Sequence, residues 1–274
     1  MSQARNPATN RAMNWAMNRA IGRISLAQRS LARLAAAALL ALITQAGSIN
    51  AQTLIDESGP ALRARVVLDP AASVEPGLAG FLREEAEATV ALYRDIARED
   101  AAAAQASGAS FAPYSVEITD RVTLLTPDYA SVLRRIAITA NAGPVVLVEA
   151  LTTDRRSGAF LRLDAFLGGP DGRAALRALA SHLTREIVAR YHGGAPTPDW
   201  TREIRAATRP DLAVLQNFTL AAAPTDRDLI GAFSFHFAPG VVAPPSAGPV
   251  DIAVPINILR AGLKPELAAR VLPP

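Results

Sequence analysis

The stretch that decides the fold is Phe233-Ser-Phe-His-Phe237, then Ala238-Pro-Gly240, then Val241-Val-Ala-Pro-Pro-Ser-Ala-Gly-Pro249, then Val250-Asp-Ile-Ala-Val-Pro255. Phe233, Phe235 and Phe237 alternate with Ser234 and His236, which puts three aromatic rings on one face of a strand. Val250, Ile252 and Val254 alternate in the same way. The four prolines and two glycines between the two runs exclude helix and a regular ladder there. The stretch therefore reads as two core strands bridged by a stiff, shaped loop. With the Phe face buried, His236 is expected to point to solvent or to a partner.

Working outward, the elements before this stretch follow from periodicity. Ala61 to Leu68 reads as a strand closed by Asp69-Pro70. Leu78 to Ala106 is the longest helical signal, with Leu78, Phe81, Leu82, Thr89, Leu92, Tyr93 and Ile96 on one stripe and Gly108 as its stop. Tyr114 to Leu125, Tyr129 to Thr139 and Val145 to Thr153 read as strands joined by short turns, with a further short strand over Ala159 to Leu163. Such spacing predicts an antiparallel meander. Asp171 caps a second helix that ends near Tyr191, where His192-Gly193-Gly194 stops it. Thr197-Pro198 opens a short third helix, and Asn217 to Ala222 is a strand. A short helix is expected at Ile256 to Arg260, and fraying of the last residues, Pro273 and Pro274 among them. The expected fold class is α+β: an antiparallel sheet with the helices at 78–106 and 171–191 packed on one face.

Charge and composition set the location. Residues 1–51 hold six arginines and no acid, whereas the whole chain has 28 basic and 25 acidic residues. The remainder thus carries 22 basic against 25 acidic residues, a net charge of −3. A nucleic-acid-binding body needs a basic field, so no nucleic acid partner is expected. Leu31 to Ile43 is an apolar run after an arginine-rich start and before small residues, the pattern of a secretory signal peptide. It is too short to span a bilayer, which takes about 20 apolar residues. Cleavage is expected after Ala51, with Ala46 the second choice and Met13 or Met17 as alternative starts. This gives a signal peptide over 1–51 and one exported domain over 52–274, periplasmic or secreted, that meets the membrane only during export. There is no cysteine, hence no disulfide, thiolate metal site or cysteine nucleophile.

The order of elements and three stretches carry a resemblance. Arg156-Ser157-Gly158-Ala159-Phe160-Leu161-Arg162-Leu163-Asp164-Ala165-Phe166 resembles a "Thr-Gly-Lys, then Leu-x-Asp-Leu-Phe" turn and strand. Asn217-Phe218-Thr219-Leu220 is similar to an "Asn-Phe" strand. Phe235 through Pro255 resembles a phenylalanine strand, an Ala-Pro loop, an Ala-Gly turn and a strand ending in Val-Pro or Ile-Pro. Together they resemble the secreted domain of unknown function found in RsiV-like anti-sigma factors and at the front of some peptidoglycan deacetylases. The chain departs from that pattern at Ala140-Asn141-Ala142-Gly143-Pro144, where the family carries a tyrosine and a histidine, and at Pro245, where it carries a tyrosine. The resemblance implies a stand-alone binding or sensory module, not an enzyme, with a lysozyme-type protein or peptidoglycan as partner and no cofactor.

Candidate site residues follow from the loop and the basic turns. His236, Pro239, Val242, Pro244 and Pro245 line the proline-rich loop and its strand, and exposed polar residues beside rigid loops are where ligands bind. Arg155 and Arg156, with Arg134 and Arg135, are candidates for an anionic-ligand patch, although exposed arginine pairs are usually just solvated. His182 and Glu186 sit four apart on one helix, but two ligands do not make a metal site, and none is expected. Asp154 and Asp164 flank a turn. They are candidates for a carboxylate pair, although Asp154 with Ser157 is better suited to holding that turn. No serine-nucleophile elbow, Ser-x-x-Lys or His-Glu-x-x-His motif occurs. Two other readings stay open: an envelope hydrolase using carboxylates, and a structural envelope protein without a small ligand.

Overall fold

The computed structural model describes residues 52–273 apart from 142, 169 and 170. The expected signal peptide therefore lies outside the described residues, as does Ala142 in the altered turn. The described elements belong to one compact unit of residues 50–140 and 144–274.

The α+β expectation holds, with two sheets in place of one. The first has the order β1 (Gln52–Ser58), β2 (Leu62–Leu68), β3 (Tyr114–Leu125), β4 (Tyr129–Ala140), β5 (Gly143–Asp154). The second has the order β6 (Phe218–Ala222), β7 (Ile230–Phe237), β8 (Val250–Pro255). β1–β2, β3–β4, β6–β7 and β7–β8 are antiparallel. β2 and β3 run parallel, because helix α1 (Pro76–Ser107) carries the chain back over the sheet between them. That βαβ crossover lies beside the expected meander and was not anticipated. β1 was also missed: its exposed, polar Gln52-Thr-Leu-Ile-Asp-Glu-Ser58 lacks an apolar alternation.

α1 packs Leu78, Leu82, Ala86, Val90 and Ala97 against the first sheet. The buried stripe thus includes small residues that a search for large apolar side chains passes over, and these let the helix lie close to the strands. It stops where Gly108 adopts φ 69° and its N–H reaches the carbonyls of Ala104 and Gln105. Glu57 of β1 and Arg94 of α1 pair at 2.5 Å and tie the edge strand to the helix.

The second sheet holds the larger core. Phe218, Phe233 and Phe235 are at most 2 % exposed and Phe237 is 9 % exposed, so all three rings of the opening stretch point inward. Phe166 meets Phe218 and Phe233 edge-on, with ring centroids 5.9 and 5.3 Å apart. Helix α2 (Gly172–Tyr191) adds Leu179, Leu183 and Ile187 to this core. The helices are therefore shared out, α1 to the first sheet and α2 to the second. Helix α3 (Pro198–Ala207) starts as expected, with the Thr197 side chain accepting from the Trp200 N–H. The expected strand at 159–163 reduces to one bridge, Thr153 to Phe160. After the short helix α4 (Ile256–Leu259) the chain stays packed as far as Val271, which is buried and bridges to Ile230; of the residues expected to fray, Pro273 is exposed and Pro274 lies outside the described residues.

Candidate functional site

The proline-rich loop is held from beneath. Val242 and Ala243 insert into the main core, fully buried, while Val241 is 40 % exposed and Pro245 is exposed. Pro239 and Pro244 are partly buried between them. His192, past the end of α2, places Nε2 2.8 Å from the Val242 carbonyl, and its ring lies 5.3 Å from that of Trp200. Pro245–Ala247 forms a 3-10 turn in which Ala247 donates to the Pro244 carbonyl. Each φ fixed by proline removes freedom the loop would otherwise lose on binding, so its exposed tip is preorganised.

His236 does not face solvent. It is 3 % exposed: the neighbouring strand β6 packs on β3 and β4 of the first sheet, and Thr219 and Asp251 flank the imidazole. Its Nδ1 lies 2.7 Å from Asp251 Oδ1 and its Nε2 lies 2.9 Å from Thr219 Oγ1. Asp251 can only accept, so Nδ1 carries a hydrogen. That hydrogen bond holds the Asp251 carboxyl below the usual carboxylate range; burial opposes the shift, and Arg121 and Arg135 add to it. A hydroxyl, an imidazole and a carboxylate in line have the layout of a nucleophile, its base and an orienting acid. Thr219, however, is fully buried, with no exposed surface, so no substrate carbonyl can reach its hydroxyl. The arrangement satisfies the polar groups that cross the second sheet. Sequence alternation missed it, since it assumed that one face of β7 is wet.

The arginines are similarly committed. Arg134 is 2 % exposed: its Nε and Nη2 take both oxygens of Asp120 at 2.7 and 2.8 Å, and Nη2 also donates to the Leu82 carbonyl of α1 at 2.6 Å. It is therefore not part of a surface patch. Arg155 pairs with Glu75 and donates to the Thr126 carbonyl. Arg156 and Arg270 converge on Asp128 at 2.5 and 2.6 Å, and hold its carboxyl below the usual range, Arg270 most strongly. Among the described residues no hydrogen bond or ion pair links this cluster to the loop. The candidate residues thus form two separate groups. Asp154 accepts from the Arg156 and Ser157 N–H groups and from the Ser157 hydroxyl, holding its turn as expected. Glu186 pairs with Arg190 at 2.6 Å, while His182 lies 3.4 Å from the Ala253 carbonyl. Among the described residues no group of three or more His, Asp or Glu side chains is placed to hold a metal.

No family model matches the chain, and no curated protein matches it. Solved structures do. A DUF3298 family member from Bacteroides fragilis NCTC 9343 is 17 % identical at TM-score 0.51, over 82 % of this chain and 97 % of that one. A DUF3298 family protein from Pseudomonas aeruginosa PAO1 is 15 % identical at TM-score 0.49, over 80 % of this chain and 93 % of that one. In fold, this chain is similar to the first of these, a member of a domain family of unknown function.

Proposed function

We propose that this chain is an exported, non-catalytic binding or sensory module for a cell-envelope ligand, either a lysozyme-type protein or peptidoglycan. The observation that carries the reading is the Ala238–Pro249 loop, whose buried Val242 and Ala243 hold an exposed tip of Val241 and Pro245 rigid. The full burial of the Thr219 hydroxyl at the inner end of the Thr219–His236–Asp251 line supports binding over acyl transfer. The resemblance to RsiV-like domains supplies the ligand class. Among the described residues no helix is long and apolar enough to cross a membrane, which is compatible with release after export.

The test is retention of the purified protein by immobilised lysozyme and by isolated sacculi. One of the two is expected to retain it, and Val241→Asp is expected to weaken that retention about tenfold or more, the effect of placing a charge at a desolvated contact. Retention by neither leaves the ligand assignment without support.

A further inference from the structure

Among the described residues β5 is the last strand of the first sheet, so one of its edges has no strand neighbour. Alternate residues share an edge. The Asn217 carboxamide accepts from the Ala150 N–H and donates to the Val148 carbonyl, each from the side away from β4. Further along, the Thr152 carbonyl accepts from Leu161 and the Asp154 N–H donates to Ala159 on the same side. Pro144 and Val146 continue this even-numbered edge. Among the described residues, no hydrogen bond reaches the Pro144 carbonyl, the Val146 N–H and carbonyl, or the Val148 N–H along it.

We propose that this edge, from Pro144 to Val148, is a self-association edge. Its occupant is the same edge of a second copy, paired antiparallel about a two-fold axis at Val146. Such a pairing sets Val146 opposite Val146 and Pro144 opposite Val148. Each Val146 N–H meets the other copy's Val146 carbonyl, and each Val148 N–H meets the other copy's Pro144 carbonyl. Two groups are left over on each copy in this register. One is the Pro144 nitrogen, which has no hydrogen to give. The other is the Val148 carbonyl that would receive it, and that carbonyl already accepts from Asn217. Donors and acceptors therefore match with no buried group unpaired. An arbitrary partner strand would present an N–H to an occupied carbonyl.

The side chains agree. Between Gly143 and Ala150 the only charged residue is Glu149, and it lies beyond the paired segment. Val145 is 37 % exposed. The sheet's other edge is unsuited: β1 has a register shift between Thr53 and Ile55 and carries Asp56 and Glu57.

The test is sedimentation of the purified protein from low micromolar to several hundred micromolar, beside Val146→Pro. The Val146 N–H points away from β4, so proline there removes an intermolecular donor and no ladder bond. A concentration-dependent dimer is expected in the parent, and at least tenfold weaker association in the variant at an unchanged circular dichroism spectrum. The chain has no cysteine, so Val145→Cys takes a single nitroxide. The register places the two labelled Cα atoms roughly 8 Å apart, close enough for strong dipolar broadening. Should Val146→Pro alter the fold, the labelled protein decides by itself. A monomer throughout, or a dimer without broadening, overturns the proposal.

Discussion

Arg134 sits between the two parts of the α1 core with its charge out of water. Removing one partner of such a pair strands the other, so Arg134→Ala is expected to lower stability by about 3–5 kcal/mol in urea unfolding. The double replacement Arg134→Met with Asp120→Leu is expected to recover most of that loss, since a packed apolar pair needs no desolvation. Glu149 lies near the same pair. Burial pushes its carboxyl above the usual range and Arg134 opposes this, while Glu85 and Asp120 push it further up. A raised carboxyl is a group whose folded state prefers the proton. Its contribution is favourable below the unfolded value, about 4.3, and is lost as pH rises through the folded value. Glu149→Gln is therefore expected to raise Tm at neutral pH, with the gain shrinking to nothing as pH falls to about 4. A gain that does not change with pH would mean that packing, not ionisation, is responsible. The sequence could not show either residue as buried. Arg134-Arg135 looks like a surface pair, and only the facing Asp120 of β3 and the Leu82 carbonyl of α1 explain why one arginine turns in.

At the scale of elements, regular periodicity was readable and pairing was not. α1 stops at Gly108 and α3 starts at Thr197 as expected, because capping is local; α2 starts at Asp171 as expected, although that side chain makes no cap hydrogen bond. The parallel β2–β3 pair is non-local: strands 114–153 form a run of short connections, and nothing in them says that β2 joins their edge running the same way as β3. The bulge between β6 and β7 is similar. Ala221 faces Ala232 and Ala222 faces Ile230, which leaves Gly231 as the extra residue. A Cβ there would lie 2.6 Å from the Ala223 Cα and 3.0 Å from its nitrogen. Both are main-chain atoms that cannot rotate away. Gly231→Ala is expected to destabilise the fold by about 1–3 kcal/mol, the usual range for overpacking, with m unchanged in chemical unfolding. A neutral outcome would show that the bulge can reposition.

The molecule as a whole is two cores joined by polar links between the sheets. Ser131 Oγ of β4 accepts from the Leu220 N–H of β6, and lies 2.8 Å from Thr152 Oγ1 of β5. Asn217 carries three more bonds: it accepts from Ala150 and donates to the carbonyls of Val148 and His236. Its carboxamide takes the place of a peptide group beside β5, which carries hydrogen bonding past the end of the first sheet. An "Asn-Phe" pair was legible as part of a strand, but its bridging role needs both sheets in view. Asn217→Ala leaves the Ala150 N–H and the His236 carbonyl without these partners, a loss of roughly 1–3 kcal/mol. The larger consequence is for cooperativity. With Trp15 replaced by Phe, fluorescence reports Trp200, which packs on the second-sheet core. Far-ultraviolet circular dichroism is weighted towards α1, the longest helix among the described residues, on the first-sheet core. In the parent the two signals are expected to fall at one urea concentration, as a two-state fold requires. In Asn217→Ala the fluorescence transition is expected to separate from the dichroism transition. Coincident transitions in the variant would mean that apolar contact alone, Leu124 and Tyr129 of the first sheet within the second-sheet core, suffices to couple the halves.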